Sequence, residues 1–123
     1  MASQPITKLI VDYVDYAVAY YGTAPNSELH RIQRVLRPVR KLYGRTRAAE
    51  FNVLQFKAVR QTLLNEKLCR KSINASMRRI IRMFKWAAAD ARVSPSVPQA
   101  LAMVAGRRRG KTTARETERL MTR

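Results

Sequence analysis

Acidic residues are scarce in this sequence: eight Asp and Glu stand against 25 Lys and Arg, which gives a net charge of +17. Self-repulsion on this scale favours an external polyanion. Nucleic acid is the first candidate for that polyanion, and an anionic membrane surface is a distant second. The hydrophobic content of 46% favours a packed core over a disordered chain, and 123 residues are most simply one domain.

Cysteine and histidine occur once each, as Cys69 and His30. A single cysteine excludes an intrachain disulfide, and the two residues cannot supply the usual ligands of a transition-metal site. We therefore expect no metal and no cofactor. We interpret Cys69 as a small, partly buried residue and His30 as a surface or edge residue rather than a ligand or base. The sequence lacks an apolar run of about 18 residues, and Asp12 and Asp15 interrupt its first apolar stretch, unlike a signal peptide. These features predict a cytoplasmic protein.

Hydrophobic residues recur at helical spacing along the chain, and no segment has a convincing strand pattern. The sequence therefore predicts an all-α domain over residues 1–104. Four main helices are expected over about 5–21, 28–43, 53–65 and 72–92, and a short fifth over about 96–104. Residues 105–123 are basic and lack core residues, so they are expected to form a linker or tail.

Short polar residues and glycines mark the helix ends. Gly22 and Gly44 are natural stops, while Ser27 and Asn52 are natural N-caps. Pro38 conflicts with the second helix, since an interior proline costs about 3 kcal/mol. We keep the helix because its apolar periodicity continues through the proline.

Each helix has an apolar stripe predicted to face the core. The stripe of the first helix includes Tyr20, and that of the third includes Leu54. The stripe of the fourth helix has the spacing i, i+4, i+7, i+11, i+14 and i+18 and consists of Ile73, Met77, Ile80, Phe84, Ala87 and Ala91.

The fourth helix has a second face made of hydrogen-bond donors: Lys71, Asn74, Arg78, Arg82 and Lys85. Between positions 67 and 85 there is no carboxylate, because Glu66 is followed by no acidic residue until Asp90. Without carboxylates to pair them, these cations are predicted to meet an external anion rather than to form a salt-bridged surface. The second helix adds basic residues at Arg31, Arg34 and Lys41.

One motif is misleading. Residues 105–112, AGRRRGKT, match a loose phosphate-binding loop. Such a loop must join a strand to a helix whose N-terminus faces the phosphates. A short helix is predicted before it and only 11 residues follow it. We therefore interpret this segment as a basic linker, and we expect no small-molecule ligand.

Several segments together resemble the N-terminal core-binding domain of tyrosine recombinases, the phage-integrase class. The most specific is MFKWAAADARVSPSVP at 83–98, where a Phe-Lys-Trp-Ala block precedes a helix end and a proline-marked loop. FNVLQFKAVRQTLL at 51–64 and LCRKSINASMRRI at 68–80 resemble the same family. So do LRPVRKLYG at 36–44 and GRRRGKTTARETE at 106–118.

The resemblance implies a SAM-like bundle of two crossed helix pairs that clamps one face of a DNA recombination half-site. It also implies assembly of copies on DNA, with catalysis in a separate C-terminal domain. That domain uses an Arg, a Lys, a His-x-x-Arg motif, a further His or Trp, and a nucleophilic Tyr. Here His30 is followed directly by Arg31, and the chain ends about where the catalytic domain would begin. We therefore expect this chain to bind double-stranded DNA without catalysing strand exchange.

Most of the cations are expected to contact phosphates. Ser72 and Asn74, near the start of the fourth helix, and one of the arginines are expected to touch base edges. A basic RNA-binding or ribosome-associated protein is the alternative, and a protein-interaction module through the tyrosine-rich first helix is a second rival. The predicted DNA-binding residues are Arg31, Arg34, Lys41, Arg70, Lys71, Ser72, Asn74, Arg78, Arg79, Arg82, Lys85, Arg107, Arg108, Arg109 and Lys111.

Overall fold

A computed structural model describes residues 4–22, 28–66 and 69–105. Within these ranges the chain is all-helical, and β pairing is limited to one isolated bridge between Pro5 and Arg47. The prediction of a small all-α bundle of four main helices and a short fifth is confirmed. The helices are α1 (Ile6–Tyr21), α2 (Glu28–Tyr43), α3 (Val53–Asn65), α4 (Arg70–Ala89) and α5 (Ser96–Ala105), with a 3-10 turn at Ala48–Glu50.

The bundle is built around α4, which packs against each of the other four helices. Its apolar stripe is buried from Ile73 to Ala87. At its centre the ring of Phe84 stacks on Phe51, with centroids 5.1 Å apart and planes 7° apart. Phe56 meets Phe51 edge-on at 6.4 Å. Burying an aromatic ring of this size contributes up to about 3 kcal/mol, so these contacts fix which side of α4 faces the core.

Local hydrogen bonds account for the predicted helix ends. Asn52 and Gln55 form a capping box at the start of α3: the Asn52 side chain accepts from the Gln55 amide at 3.0 Å, and the Gln55 side chain accepts from the Asn52 amide at 3.2 Å. Gly22 ends α1 at a φ of +81°, a conformation that glycine adopts without a steric penalty. The predicted cap Ser27 lies outside the described residues.

The N-terminus of α1 is joined to the α2–α3 connection by backbone hydrogen bonds. The amides of Ile6 and Thr7, which have no partner within the helix, donate to the carbonyls of Thr46 and Gly44. Gly44 is needed here because a Cβ atom at this position would lie 2.5 Å from the Arg40 carbonyl oxygen and 2.5 Å from Thr7 Oγ1. The connection therefore holds α1 and α2 together at one end.

The C-terminus of α4 differs from the prediction. The helix ends at Ala89 rather than near Arg92, and Ala91 is exposed instead of completing the apolar stripe. The amide of Arg92 donates to the Ala87 carbonyl and that of Ala91 to the Ala88 carbonyl, with Ala91 at a φ of +61°. This is a Schellman motif with alanine in the left-handed position that glycine usually occupies, so the sequence carries no glycine to signal the end.

Three other predictions of burial are wrong. Tyr20 is 68% exposed and Leu54 is 77% exposed, because neighbouring helices cover only part of the apolar stripes of α1 and α3. Cys69 is exposed, since it is the N-cap of α4, which begins at Arg70. His30 lies on the surface, as predicted.

We expect Ala91→Gly to raise the free energy of unfolding by about 1 kcal/mol, because glycine removes the steric cost of the left-handed conformation. Ala89→Gly is the matched control. It changes an exposed alanine inside the last turn of α4 and should lower stability by about 0.5–1 kcal/mol. Denaturant unfolding of both variants measures the two changes, and equal signs would contradict the helix end described above.

Candidate nucleic-acid interface

The outer face of α4 carries a row of cations, Lys71, Arg78 and Lys85, all of them exposed. Consecutive members are seven residues apart, or about 10 Å along the helix axis. None of the three has an ion pair within the described part of the chain. This row therefore presents uncompensated positive charge to solvent over about 21 Å.

Two other α4 arginines are paired, contrary to the expectation that no carboxylate would neutralise this helix. Arg79 donates from Nε to Glu28 Oε2 at 2.8 Å and from an Nη nitrogen to Oε1 at 3.2 Å, which is a bidentate pair. Arg82 donates to Glu28 Oε2 at 2.5 Å. The pairing was missed because Glu28 lies in α2, 51 residues from Arg79 in sequence.

These contacts shift the titration of Glu28. The hydrogen bond from Arg79 holds the pKa of the Glu28 carboxyl below its ordinary value of 4.5; partial burial opposes the shift and Arg82 reinforces it. Glu28 therefore stays ionised at neutral pH and holds the first turn of α2 against the middle of α4. Negative charge in the first turn of a helix is also favoured by the helix dipole.

A groove with a volume of about 340 Å³ lies between α2 and α4. Small residues at Ala75 and Ser76 line it from α4, Val35 lines it from α2, and Leu63 and Glu66 come from the end of α3. The structure brings five of the predicted binding residues together here: Arg31, Arg34, Lys71, Ser72 and Arg79. Because Arg79 is already paired with Glu28, the groove wall has three further cations, Arg31, Arg34 and Lys71, against the carboxylate of Glu66. This balance gives the groove a positive potential.

The remaining predicted residues lie elsewhere. Lys41 is exposed in the last turn of α2, and Arg70 is exposed at the first position of α4. Asn74 is half-buried beside the α4 row, and the Arg82 guanidinium lies between that row and α1. Residues Arg107, Arg108, Arg109 and Lys111 fall outside the described residues.

Sequence reasoning missed two features of this surface. One is Glu28, which carries no local signal for a partner in α4. The other is Ser76, which lines the groove one turn after Ser72. The run Ser72, Ala75, Ser76 has small residues at i, i+3 and i+4, a spacing that indicates close approach of another element on that side of α4. This signal was available in the sequence.

Comparison with known proteins identifies no relative: no family model matches the sequence, and neither a curated protein nor a solved structure matches it significantly. The described helices include none with the length and apolar content needed to cross a membrane. The described residues likewise contain no group of three or more His, Cys, Asp or Glu positioned to hold a metal ion.

We expect the Glu28 ion pairs to make stability depend on pH. Because the folded pKa of Glu28 is depressed, its contribution is complete above the unfolded value of about 4.5 and is lost as pH falls through the folded pKa. Glu28→Gln should lower the free energy of unfolding at pH 7 by about 1–3 kcal/mol and flatten its decline in acid. Glu50→Gln, at an exposed carboxylate, is the control. Parallel stability–pH curves for Glu28→Gln and the native protein would contradict the prediction.

Proposed function

We propose that this chain binds double-stranded DNA through a basic surface that consists of the α4 row and the α2–α4 groove. The observation that carries the proposal is the position of Lys71, which begins the exposed row and also lines the groove. Lys71 therefore joins the cations of two helices, Arg31 and Arg34 among them, into one surface. The phosphates of DNA supply the polyanion that such a surface requires.

The dimensions suit a duplex. The α4 row spans about 21 Å, and the major groove, about 12 Å wide, admits one helix. Because the opposite side of α4 is buried, only its cationic face is available for contact. In this arrangement Arg78 and Lys85 neutralise phosphates, which fixes register and affinity. Ser72 and Asn74, near the start of α4, are the side chains proposed to reach base edges.

We further propose that the chain works as the DNA-gripping part of a tyrosine recombinase and leaves the chemistry to another domain. Support comes from the resemblance of segments 51–64, 68–80 and 83–98 to core-binding domains and from the small helical bundle that contains them. In this proposal the basic surface holds one face of a recombination half-site. The chain itself is a binding module rather than an enzyme.

We expect duplex binding to depend steeply on salt. The basic surface offers roughly six to eight phosphate contacts, so the plot of log K against log salt concentration should have a slope of about −5 to −7. Titrating a labelled duplex at several salt concentrations measures it, and a flat response would exclude the proposal. Adding structured RNA as a competitor tests the alternative: RNA that displaces the duplex at equal or lower concentration would favour an RNA-binding protein.

Single substitutions should separate the basic surface from general positive charge. Arg78→Ala removes one proposed phosphate contact, so it should weaken duplex binding and reduce the salt slope by about 1 without changing thermal stability. Lys57→Ala is the matched control, because Lys57 is an exposed cation of α3 outside the groove. Equal losses of affinity in the two variants would show that net charge, rather than this surface, binds DNA.

A further inference from the structure

Four aromatic rings form a continuous run along the edge between α1 and α4. Tyr20 meets Tyr21 at a centroid distance of 4.7 Å and stacks on Tyr16 at 5.6 Å with planes 28° apart. Tyr16 in turn contacts Trp86 of α4 at 5.5 Å, with planes 31° apart. We call the set Tyr16, Tyr20, Tyr21 and Trp86 the aromatic ledge.

Packing explains only part of the ledge. Tyr16 is 37% exposed and Tyr20 is 68% exposed, whereas the buried face of α1 ends with Tyr13 and Ala17. A ring as exposed as that of Tyr20 contributes little apolar burial to the fold, whereas Tyr21 and Trp86 are partly buried against the core. The Tyr16 and Tyr20 rings are near-parallel, and they leave ring surface open to solvent.

Cations lie on both ends of the ledge. The Arg82 guanidinium lies 5.8 Å from the centroid of the Tyr21 ring and donates to its hydroxyl at 3.2 Å. The Arg92 guanidinium lies 4.8 Å from the Trp86 centroid, held there by Asp12 and Asp90. The Arg82 guanidinium lies between the α4 row and α1. The ledge therefore adjoins the proposed DNA-binding surface.

We propose that the aromatic ledge binds the unpaired bases of single-stranded DNA. Exposed rings beside cations are how proteins hold single strands: bases stack on the rings and the backbone follows the positive charge. The two arginines at the ends of the ledge are themselves ion-paired, Arg82 with Glu28 and Arg92 with Asp12 and Asp90. The charge that favours this occupant over a protein partner is therefore that of Arg78 and Lys85 on the same helix, which have no carboxylate partner among the described residues. A duplex would not occupy the ledge in this way, since paired bases inside a helix do not expose their faces.

The test uses Trp86, the only tryptophan of the chain. Titration with a short oligothymidylate should quench its fluorescence as bases stack on the ledge. Tyr20→Ala should weaken this binding by about 5- to 150-fold, the range for loss of one base–aromatic stack. Tyr20→Phe should retain the native affinity, because stacking needs the ring and not the hydroxyl. Val18→Ala, at an exposed apolar residue of the same helix, is the control and should leave binding unchanged.

The outcomes separate this inference from duplex binding. Because stacking involves no counterion release, Tyr20→Ala should lower oligothymidylate affinity without altering the salt slope for duplex DNA. Suppose that duplex affinity depends steeply on salt but that Tyr20→Ala and the native protein bind oligothymidylate with equal affinity. That result would overturn single-strand binding by the ledge and leave the proposed duplex binding intact. Suppose instead that the protein does not bind duplex, but that oligothymidylate quenches Trp86 and Tyr20→Ala reduces this quenching. That result would support single-strand binding by the ledge and reject the proposed function. If the native protein self-associates in the absence of DNA and Tyr20→Ala abolishes this self-association, the ledge is a protein interface and the inference is overturned.

Discussion

The carboxylate of Glu28 is the contact on which the packing of α2 against α4 depends. It accepts hydrogen bonds from two arginines one turn apart on α4, and so it holds α2 and α4 together beside the groove. The bidentate pair with Arg79 is only 17% and 23% exposed on its two side chains, and such pairs are stronger than solvent-exposed ones. Removal of this single negative charge would leave Arg79 and Arg82 without a carboxylate and put α2 and α4, both rich in cations, in direct repulsion.

Side chains project in different directions around an α-helix, and α4 therefore has three distinct surfaces. One side is buried around Phe84 and fixes the orientation of the helix. The opposite side carries the row Lys71, Arg78, Lys85. Between them lie the residues that contact neighbours, with Arg79 against α2 and Trp86 against α1. Because the core contacts fix the rotation of α4 about its axis, they also fix the directions in which its polar and aromatic side chains point.

The parts of the fold that could be predicted are those determined by local signals. Asn52 and Gln55 cap α3 through each other, and Gly22 supplies the backbone conformation that ends α1, so both boundaries could be read from neighbouring residues. The end of α4 could not, because an alanine occupies the left-handed position. Tyr20 and Leu54 were misassigned because periodicity identifies an apolar stripe without showing how much of it another helix covers.

The candidate site follows the same division. The exposed row of α4 was predictable from spacing alone, and its members lie where that spacing places them. Neither the joining of this row to Arg31 and Arg34 nor the pairing of Arg79 could be predicted, because both depend on how α2 packs against α4.

Two classes of cation therefore lie on α4, within or beside the basic surface. Lys71, Arg78 and Lys85 have no ion pair among the described residues, and they can bind a phosphate at no cost to the fold. Arg79 and Arg82 must first give up Glu28, so phosphate contact with them competes with an interaction that stabilises the α2–α4 pair. In the proposed function, the first class therefore provides the initial affinity for DNA. In the proposed function, the second class adds contacts only where a phosphate is placed well enough to replace the Glu28 carboxylate. Of the two arginines, Arg79 lines the α2–α4 groove and Arg82 lies between the α4 row and α1.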